Sequence, residues 1–400
     1  MIHLVSYSYP PDNVPSAQRP SQVAASLELL NTDFRVYSRH GILKNTTSAA
    51  VNIRTAAASR KQRALLRFAK LNNPLKKIID LDKAILWAIR IFLPAVFLIF
   101  RDRLVSKRKQ TIWATGPSIS NIYLGAVLAW LTRSDLHLDI RDVLSGMDSP
   151  RLPLLSKYAL NKAKSITAVS WPIIDLLQRH LNGTIPILIY NGISPEVFAY
   201  AQGIERPQSE WLSICYTGAL YDDERPCLPL LRLLSRAVTP SLEDTVGIKL
   251  NLITRETPNE KIKEFQTAHF IIDLASNVSR REAVQVAAFA TANVVLVGNS
   301  SVHTSSIPLK CFDLLAAGRP ILIISPKHAA ALEFLRVHSP FNIFHIEAKF
   351  VDEVNINHFQ KWLTEAHRAS SHSLSTPSSR DSADAITNLL TADCKGPRPK

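Results

Sequence analysis

Cysteine is scarce. The 400 residues hold four, Cys215, Cys227, Cys311 and Cys394, spaced 12, 84 and 83 positions apart. No pair has metal-ligand spacing and no framework repeats, so reduced structural thiols are expected rather than a disulfide-stapled scaffold or a cysteine metal site. Internal repeats of fixed period are also missing, which sets aside solenoids and propellers. A spanning helix needs about 20 consecutive apolar residues. The most apolar stretch, residues 85–100, is 16 long and is interrupted by Arg90 and Pro94. The first residues, Met-Ile-His-Leu-Val-Ser-Tyr, lack the basic and apolar regions of a signal peptide, and cytosolic residence is the expectation.

What is present is an ordinary globular composition, 46% apolar, with a basic excess of +14. That share excludes wholesale disorder and a polytopic membrane protein. The length suits two to three domains. The charge is concentrated: residues 54–109 alone net +12, whereas residues 111–400 net +1. Such a block implies an anionic partner, whether nucleic acid, a phosphorylated ligand or an anionic membrane. Nucleic acid would ask for basic residues interleaved with stacking aromatics, and residues 54–83 offer only Phe68. For the apolar stretch 85–100 three readings stand open: a buried core helix, a membrane-surface element and a true span. Lys76, Lys77, Lys83, Arg101, Arg103 and Lys107–Lys109 flank it, and cations on both sides favour an anionic leaflet over a plain core.

Short apolar runs alternate with amphipathic segments along the whole chain. Strands are expected at Ile2–Tyr7, Phe34–Tyr37, Thr111–Thr115, Leu136–Ile140, Ser165–Val169 and Ile185–Tyr190, then at Leu212–Tyr216, Lys249–Ile253, Phe270–Asp273, Val294–Val297 and Ile321–Ile324. A helix is expected over Leu124–Leu131 and a last amphipathic one over Asp381–Leu390. Residues 193–210, with Pro195, Gly203 and Pro207, read as a linker, and the Ser-rich residues 369–382 as a loop. The pattern is α/β, in two tandem domains with a cleft in which ligands would lie beyond the strand ends.

The segment richest in chemistry is Ser305-Ser-Ile307-Pro308-Leu-Lys310-Cys-Phe-Asp313-Leu-Leu-Ala-Ala-Gly318-Arg-Pro320. Pro308 suits the first turn of a helix and Gly318 its C-cap. A helix start offers N–H groups to an anion, and Lys310 and Asp313 share one face. Together they could hold a phosphate and a ribose diol; a plain salt-bridged surface helix is the competing reading.

This segment resembles the nucleotide-sugar site of retaining glycosyltransferases of family 4, which read Pro-x-Lys-x-Phe-Glu-Tyr-Leu-Ala-Ala-Gly-Arg-Pro. Asp313 stands where the family's ribose-binding acid stands, one methylene shorter. Tyr7-Ser-Tyr-Pro10-Pro11-Asp12 resembles the family's first strand and loop, where a Gly-Gly pair normally approaches the donor phosphates. Here Val14-Pro15-Ser16-Ala17 replaces it, with Arg19 as a substitute contact. Ala114–Ser118 and Asp139-Ile-Arg141-Asp142 match the Thr-Gly-Pro loop and the Asp-x-Arg-Asp strand end, which would set Arg141 and Asp142 near the acceptor. A helix cap or a structural ion pair is the alternative for Asp142. Ala168-Val-Ser170 and Tyr190–Phe198 match the crossover into the second domain. Tyr216-Thr-Gly218-Ala-Leu220 matches the donor domain's first strand and loop, with Arg225 near the family's Lys position. Val278–Glu282 matches a segment that often lines the base pocket, or is simply a helix cap. The resemblance covers residues 1–45 and 111–392.

What the resemblance implies is the GT-B fold: two Rossmann-like parallel-sheet domains facing a central cleft, with a C-terminal helix returning to the N-domain. Residues 1–194 would be the acceptor-side domain, carrying a basic, apolar insert at 46–110. Residues 195–378 would bind the nucleotide sugar, and 379–400 would be the returning helix and tail. The implied reaction moves a sugar from a nucleotide-diphosphate donor to a hydroxyl with retention. Asp142, Arg141, Lys310 and Arg225 would serve catalysis. Asp313, Lys310, Gly218, Pro308, Ile307, Ser16 and Arg19 would bind the donor. No carboxylate pair of the glycosidase kind is readable, so positioning and cationic stabilisation of the leaving pyrophosphate would carry the rate. No Asp-x-Asp signature stands in a donor loop, so no metal or other cofactor is implied. Related enzymes build surface polysaccharides on polyprenyl-phosphate lipids, so a glycan or lipid-linked acceptor and a peripheral place at the inner face of the cell membrane are expected, with residues 54–109 facing the leaflet. A GT-B-like assembly partner of low activity remains an alternative, as does a nucleotide-sugar epimerase using His137 or His303.

Overall fold

The computed structural model describes residues 1–12, 14–45, 82, 84–148, 152–205, 209–220, 227–238, 247–254, 260–276, 278–339, 341–368 and 378–392. The chain divides into two compact units, residues 1–191 with 379–400, and residues 192–378.

In the first unit the elements run β1 (Ile2–Val5), α1 (Pro15–Leu29), β2 (Phe34–Ser38), β3 (Gly41–Lys44), α2 (Ile85–Ser106), β4 (Thr111–Thr115), α3 (Ile119–Thr132), β5 (Asp135–Ile140), α4 (Leu154–Lys162), β6 (Ser165–Ala168), α5 (Trp171–Gln178) and β7 (Ile187–Leu188). Among the described residues the strands form one sheet in the order β3-β2-β1-β4-β5-β6-β7. All pairings are parallel except the β2–β3 hairpin, in which Tyr37 faces Ile42. The central strands β1, β4 and β5 are buried along almost their whole length, as expected where helices cover both faces of a parallel sheet. Helix α3 is buried on nearly every side. Its Gly125 makes that possible: a Cβ there would stand 2.6 Å from the Ala114 methyl of β4.

In the second unit the order is α6 (Pro195–Gln202), β8 (Leu212–Thr217), α7 (Cys227–Ala237), β9 (Ile248–Ile253), β10 (Phe270–Ala275), α8 (Arg280–Phe289), β11 (Ala292–Leu296), α9 (Ser301–Ser305), α10 (Leu309–Ala317), β12 (Ile321–Ile324), α11 (Ala330–His338), β13 (Ile343–Ile346) and α12 (Ile356–Arg368). The described strands form a fully parallel sheet, β10-β9-β8-β11-β12-β13. That is the doubly wound order, with its reversal point between β8 and β11. The last helix, α13 (Ser379–Ala392), belongs to the first unit and packs on its α1. Ala383, Ile386 and Leu390 share a core with Val23 and Leu27, and Ser26 bonds Asp384.

Three expectations change, and one reading left open is narrowed. Residues 193–210 are not all linker: Pro195 opens α6 and Gly203 stops it, so the supposed breakers are its ends. The short strands β3 and β13 were not foreseen, and the strand expected over 185–190 is reduced to Ile187–Leu188. The Ser-rich loop gives way to α13 from Ser379 onward; residues 369–377 lie outside the described residues. The apolar run 85–100 lies within α2, whose inner face, Trp87, Ile91, Ala95 and Ile99, is in the core. No helix among the described residues is long and apolar enough to cross a membrane.

Candidate functional site

In the second unit the predicted residues gather at the carboxyl end of β8 and the start of α10. Gly218 follows β8 with φ +130°, a backbone region that glycine enters freely and other residues rarely adopt. Its N–H donates to the Ile253 carbonyl at 2.9 Å, and the Tyr216 hydroxyl donates to the Ala219 carbonyl at 2.8 Å, so the loop is folded tightly over the strand end. This is the reversal point of the sheet, where ligands of doubly wound domains bind.

Helix α10 begins beside that loop. Pro308 takes the N-cap position, one residue before the first helical turn, and no side chain caps the helix start. Gly318 ends it in the left-handed region with φ +65°, as its sequence position predicts. Ile307 is buried and anchors the entry. The Lys310 ammonium lies 4.1 Å from the centroid of the Tyr216 ring, a cation–π distance that ties α10 to β8. Burial pushes the neighbouring Cys215 thiol up to about 12, against a smaller opposing pull from the Lys310 charge, so this cysteine is an inert thiol. Cys227, raised to about 11 by burial, is inert for the same reason.

Asp313, one turn further along α10, is held by Arg280 at the start of α8. Nε donates to Oδ2 at 3.0 Å and Nη2 to Oδ1 at 2.5 Å. The side chains are 31% and 19% exposed, so the pair is reachable from solvent. Ser279 caps α8 in a reciprocal box with Glu282, which fixes the position of Arg280 at the first helical residue. The segment 278–282 therefore is the helix cap that its sequence allowed, and it also delivers a partner to Asp313. Next to it, Arg281 stacks over Tyr200 of α6 at 4.2 Å. Arg319, in the Gly-Arg-Pro end of the motif, is buried and donates to the Ala288 carbonyl at 2.7 Å, fastening the end of α10 to α8. The Arg280 and Arg319 contacts were not foreseen. Arg225 lies outside the described residues.

In the first unit Ser16, Arg19 and Arg141 come together around Asp139. Arg19 is buried: Nη2 lies 3.0 Å from Asp139 Oδ1, and Nη1 donates to the carbonyls of Ile189 and Tyr190 at 3.0 and 3.1 Å. Its guanidinium is engaged inside this unit instead of standing in an open loop as a substitute for the missing glycines. Arg141 is also buried. Nε donates to the Gly116 carbonyl at 2.5 Å and Nη2 to the Ser16 carbonyl at 2.9 Å, so it clamps the loop after β4 to the first turn of α1. Burial pulls the Arg141 guanidinium down to about 10 despite the opposing charges of Asp139 and Asp142. Thr115 and Thr167 each donate to Asp139 at 2.7 Å and complete the cluster. Asp142 is half-buried beside it. His137 bonds Ser165 at 2.7 Å within the sheet, a structural use of the histidine.

No protein-family model matches the sequence, and no curated protein matches it at a significant level. Solved structures do match over nearly the whole chain. The α,α-trehalose 6-phosphate synthase of Burkholderia multivorans superposes with a TM-score of 0.59 at 10% identity, covering 98% of this chain and 96% of that one. The α,α-trehalose-phosphate synthase (UDP-forming) of Burkholderia vietnamiensis gives 0.57 at 10%, covering 98% and 93%. Anabaena HepE in complex with UDP and glucose gives 0.54 at 12%, covering 97% and 95%. The chain has the GT-B fold of glycosyltransferases: mixed α/β, with two parallel-sheet domains.

Proposed function

We propose that the chain is a nucleotide-sugar-dependent glycosyltransferase of the retaining, family 4 kind. The observation that carries this reading is the grouping of Gly218, Lys310 and Asp313 at the reversal point of the second unit's sheet. A ribose diol asks for a carboxylate acceptor, and Asp313 retains lone pairs beyond those that Arg280 occupies. A diphosphate asks for a close-lying glycine backbone, a cation and a helix start, which Gly218, Lys310 and α10 supply. In support, similar folds are described as UDP-forming and as holding UDP and glucose.

The chemistry would rest on stabilising the departing pyrophosphate by Lys310 and the α10 start, with Arg225 as a further cation. Asp142 and Arg141 would shape the acceptor side, Arg141 through the loops it clamps. Ser16 would present backbone there. No step requires a metal or cofactor. The acceptor would be a hydroxyl of a glycan or polyprenyl-phosphate-linked glycan in surface polysaccharide synthesis, at the cytoplasmic face of a membrane engaged through residues 54–109. The hold of Arg280 on Asp313 favours one competing reading, an inert assembly partner whose ribose site is closed.

A donor screen separates them. Purified chain is incubated with a panel of nucleotide sugars and membrane extract, and nucleotide release is read. Turnover with one donor, abolished by Lys310→Ala and by Asp313→Ala, is expected. Turnover untouched by both substitutions places the site elsewhere.

A further inference from the structure

Helix α2 is apolar on two opposite faces, and among the described residues only one of them packs into the core. Trp87, Ala88, Ile91, Ala95 and Ile99 are at most 6% exposed and pack into the first unit's core. Asp102 continues that inner stripe and pairs with Arg35. On the outer side Ile89, Leu93, Phe97, Phe100 and Leu104 are 64%, 72%, 68%, 41% and 77% exposed. Their spacing of four, four, three and four positions puts them on one ridge along the helix. Trp130, on the neighbouring helix α3, is 65% exposed. A continuous exposed apolar ridge of this kind marks an interaction surface rather than ordinary scatter.

Among the described residues, the exposed charges on and just after α2 are all of one sign. Arg90 and Arg101 are exposed next to it, and the helix runs out into Lys107, Arg108 and Lys109. The only carboxylate within α2, Asp102, is the one turned inward. At the helix end Phe100 and Leu104 share an open groove of about 530 Å³ with Arg103, Lys107, Arg108 and Lys109. Two of these cations have local partners, since Arg103 donates to the Thr132 carbonyl and Lys109 pairs with Asp135. A groove with an apolar floor and a cationic rim matches a lipid, acyl chain below and anionic head group above. A second copy of the chain would bring like charges together at the same ridge.

We infer that α2 docks in the plane of an anionic bilayer, seating the ridge Ile89–Leu93–Phe97–Phe100–Leu104 among the acyl chains and the cluster Arg103–Lys107–Arg108 against lipid phosphates. This deepens the membrane part of the reading above by naming the element and the face, and it is independent of the transfer chemistry.

The test is co-sedimentation of the full chain with phosphatidylcholine vesicles, with and without phosphatidylglycerol. Binding is expected only when phosphatidylglycerol is present, and should weaken with salt. Leu93→Ser combined with Phe97→Ser removes outward side chains only, so the thermal unfolding curve should stay put while partitioning falls at least about tenfold. Phe97→Trp should give a blue-shifted emission on binding, quenched by brominated lipid. Wild-type protein left in the supernatant overturns the proposal, as does a double variant that binds like wild type. A dimer dissociated by the same two substitutions overturns it in favour of self-association. Nucleotide binding by the double variant reports separately on the donor site.

Discussion

Arg280 and Asp313 meet through two parallel hydrogen bonds across 33 residues of sequence, joining the first residue of α8 to the middle of α10. A fork of this kind fixes the carboxylate plane and leaves its outer lone pairs available. Arg280 is thus a positioning residue for Asp313. Arg280→Ala should weaken nucleoside diphosphate binding about fivefold to thirtyfold, equivalent to ~1–2 kcal/mol. Arg280→Lys keeps the charge without the fork and should recover only part of the loss. Calorimetry with ribose and 2′-deoxyribose nucleotides checks this, since the penalty should shrink when the diol is gone. Equal affinity of wild type and Arg280→Ala would make the pair merely structural.

Arg35 of β2 and Asp102 of α2 form a second two-point pair, at 2.5 and 3.0 Å, with both side chains 6% exposed. Burial pushes the Asp102 carboxyl upward, but the Arg35 hydrogen bonds and charge outweigh it and leave the group below its usual range. Asp102→Ala strands a buried guanidinium and should cost about 3–5 kcal/mol. Arg35→Met with Asp102→Leu should restore most of that. Urea unfolding of the three variants measures it, and a negligible loss for Asp102→Ala would deny that this pair anchors α2.

His3 lies fully buried in β1, with Nδ1 2.9 Å from the Tyr37 hydroxyl and Nε2 3.3 Å from the Gln110 amide oxygen. Burial pulls its imidazole down to about 3 from 6.5, so it is neutral in the folded protein. The unfolded chain takes up the proton first as pH falls, so the stability is whole above about pH 6.5 and drains away toward pH 3. The slope from this group reaches at most ~1.4 kcal/mol per pH unit. Denaturation midpoints measured from neutral pH down to about pH 5 should fall, and His3→Gln should flatten the curve. An identical slope in the variant would assign the acid sensitivity to other groups.

Much of the fold was legible because parallel strands covered on both faces must be apolar throughout. Ile321–Ile324 announces itself in this way. The strand β13, with its half-buried Phe344 and His345, does not. Helix α6 was hidden because Pro195 and Gly203 signal both a loop and the two ends of a helix. At the site, Pro308 and Gly318 marked α10 to within a residue, since capping is local chemistry. The partner of Asp313 was not legible. Nor was the engagement of Arg19, whose carbonyl acceptors stand some 170 positions away. Contacts of that kind are made by sheet topology, which no local pattern encodes.

Asp313, Lys310 and Gly218 are proposed to form a nucleotide diphosphate site. Titration calorimetry of the intact chain against UDP, GDP, ADP and CMP tests it most directly. Saturable binding of one diphosphate is expected, weakened at least about tenfold by Asp313→Ala in a protein that still unfolds cooperatively. Binding of none of them, or equal binding by the Asp313→Ala variant, would contradict it.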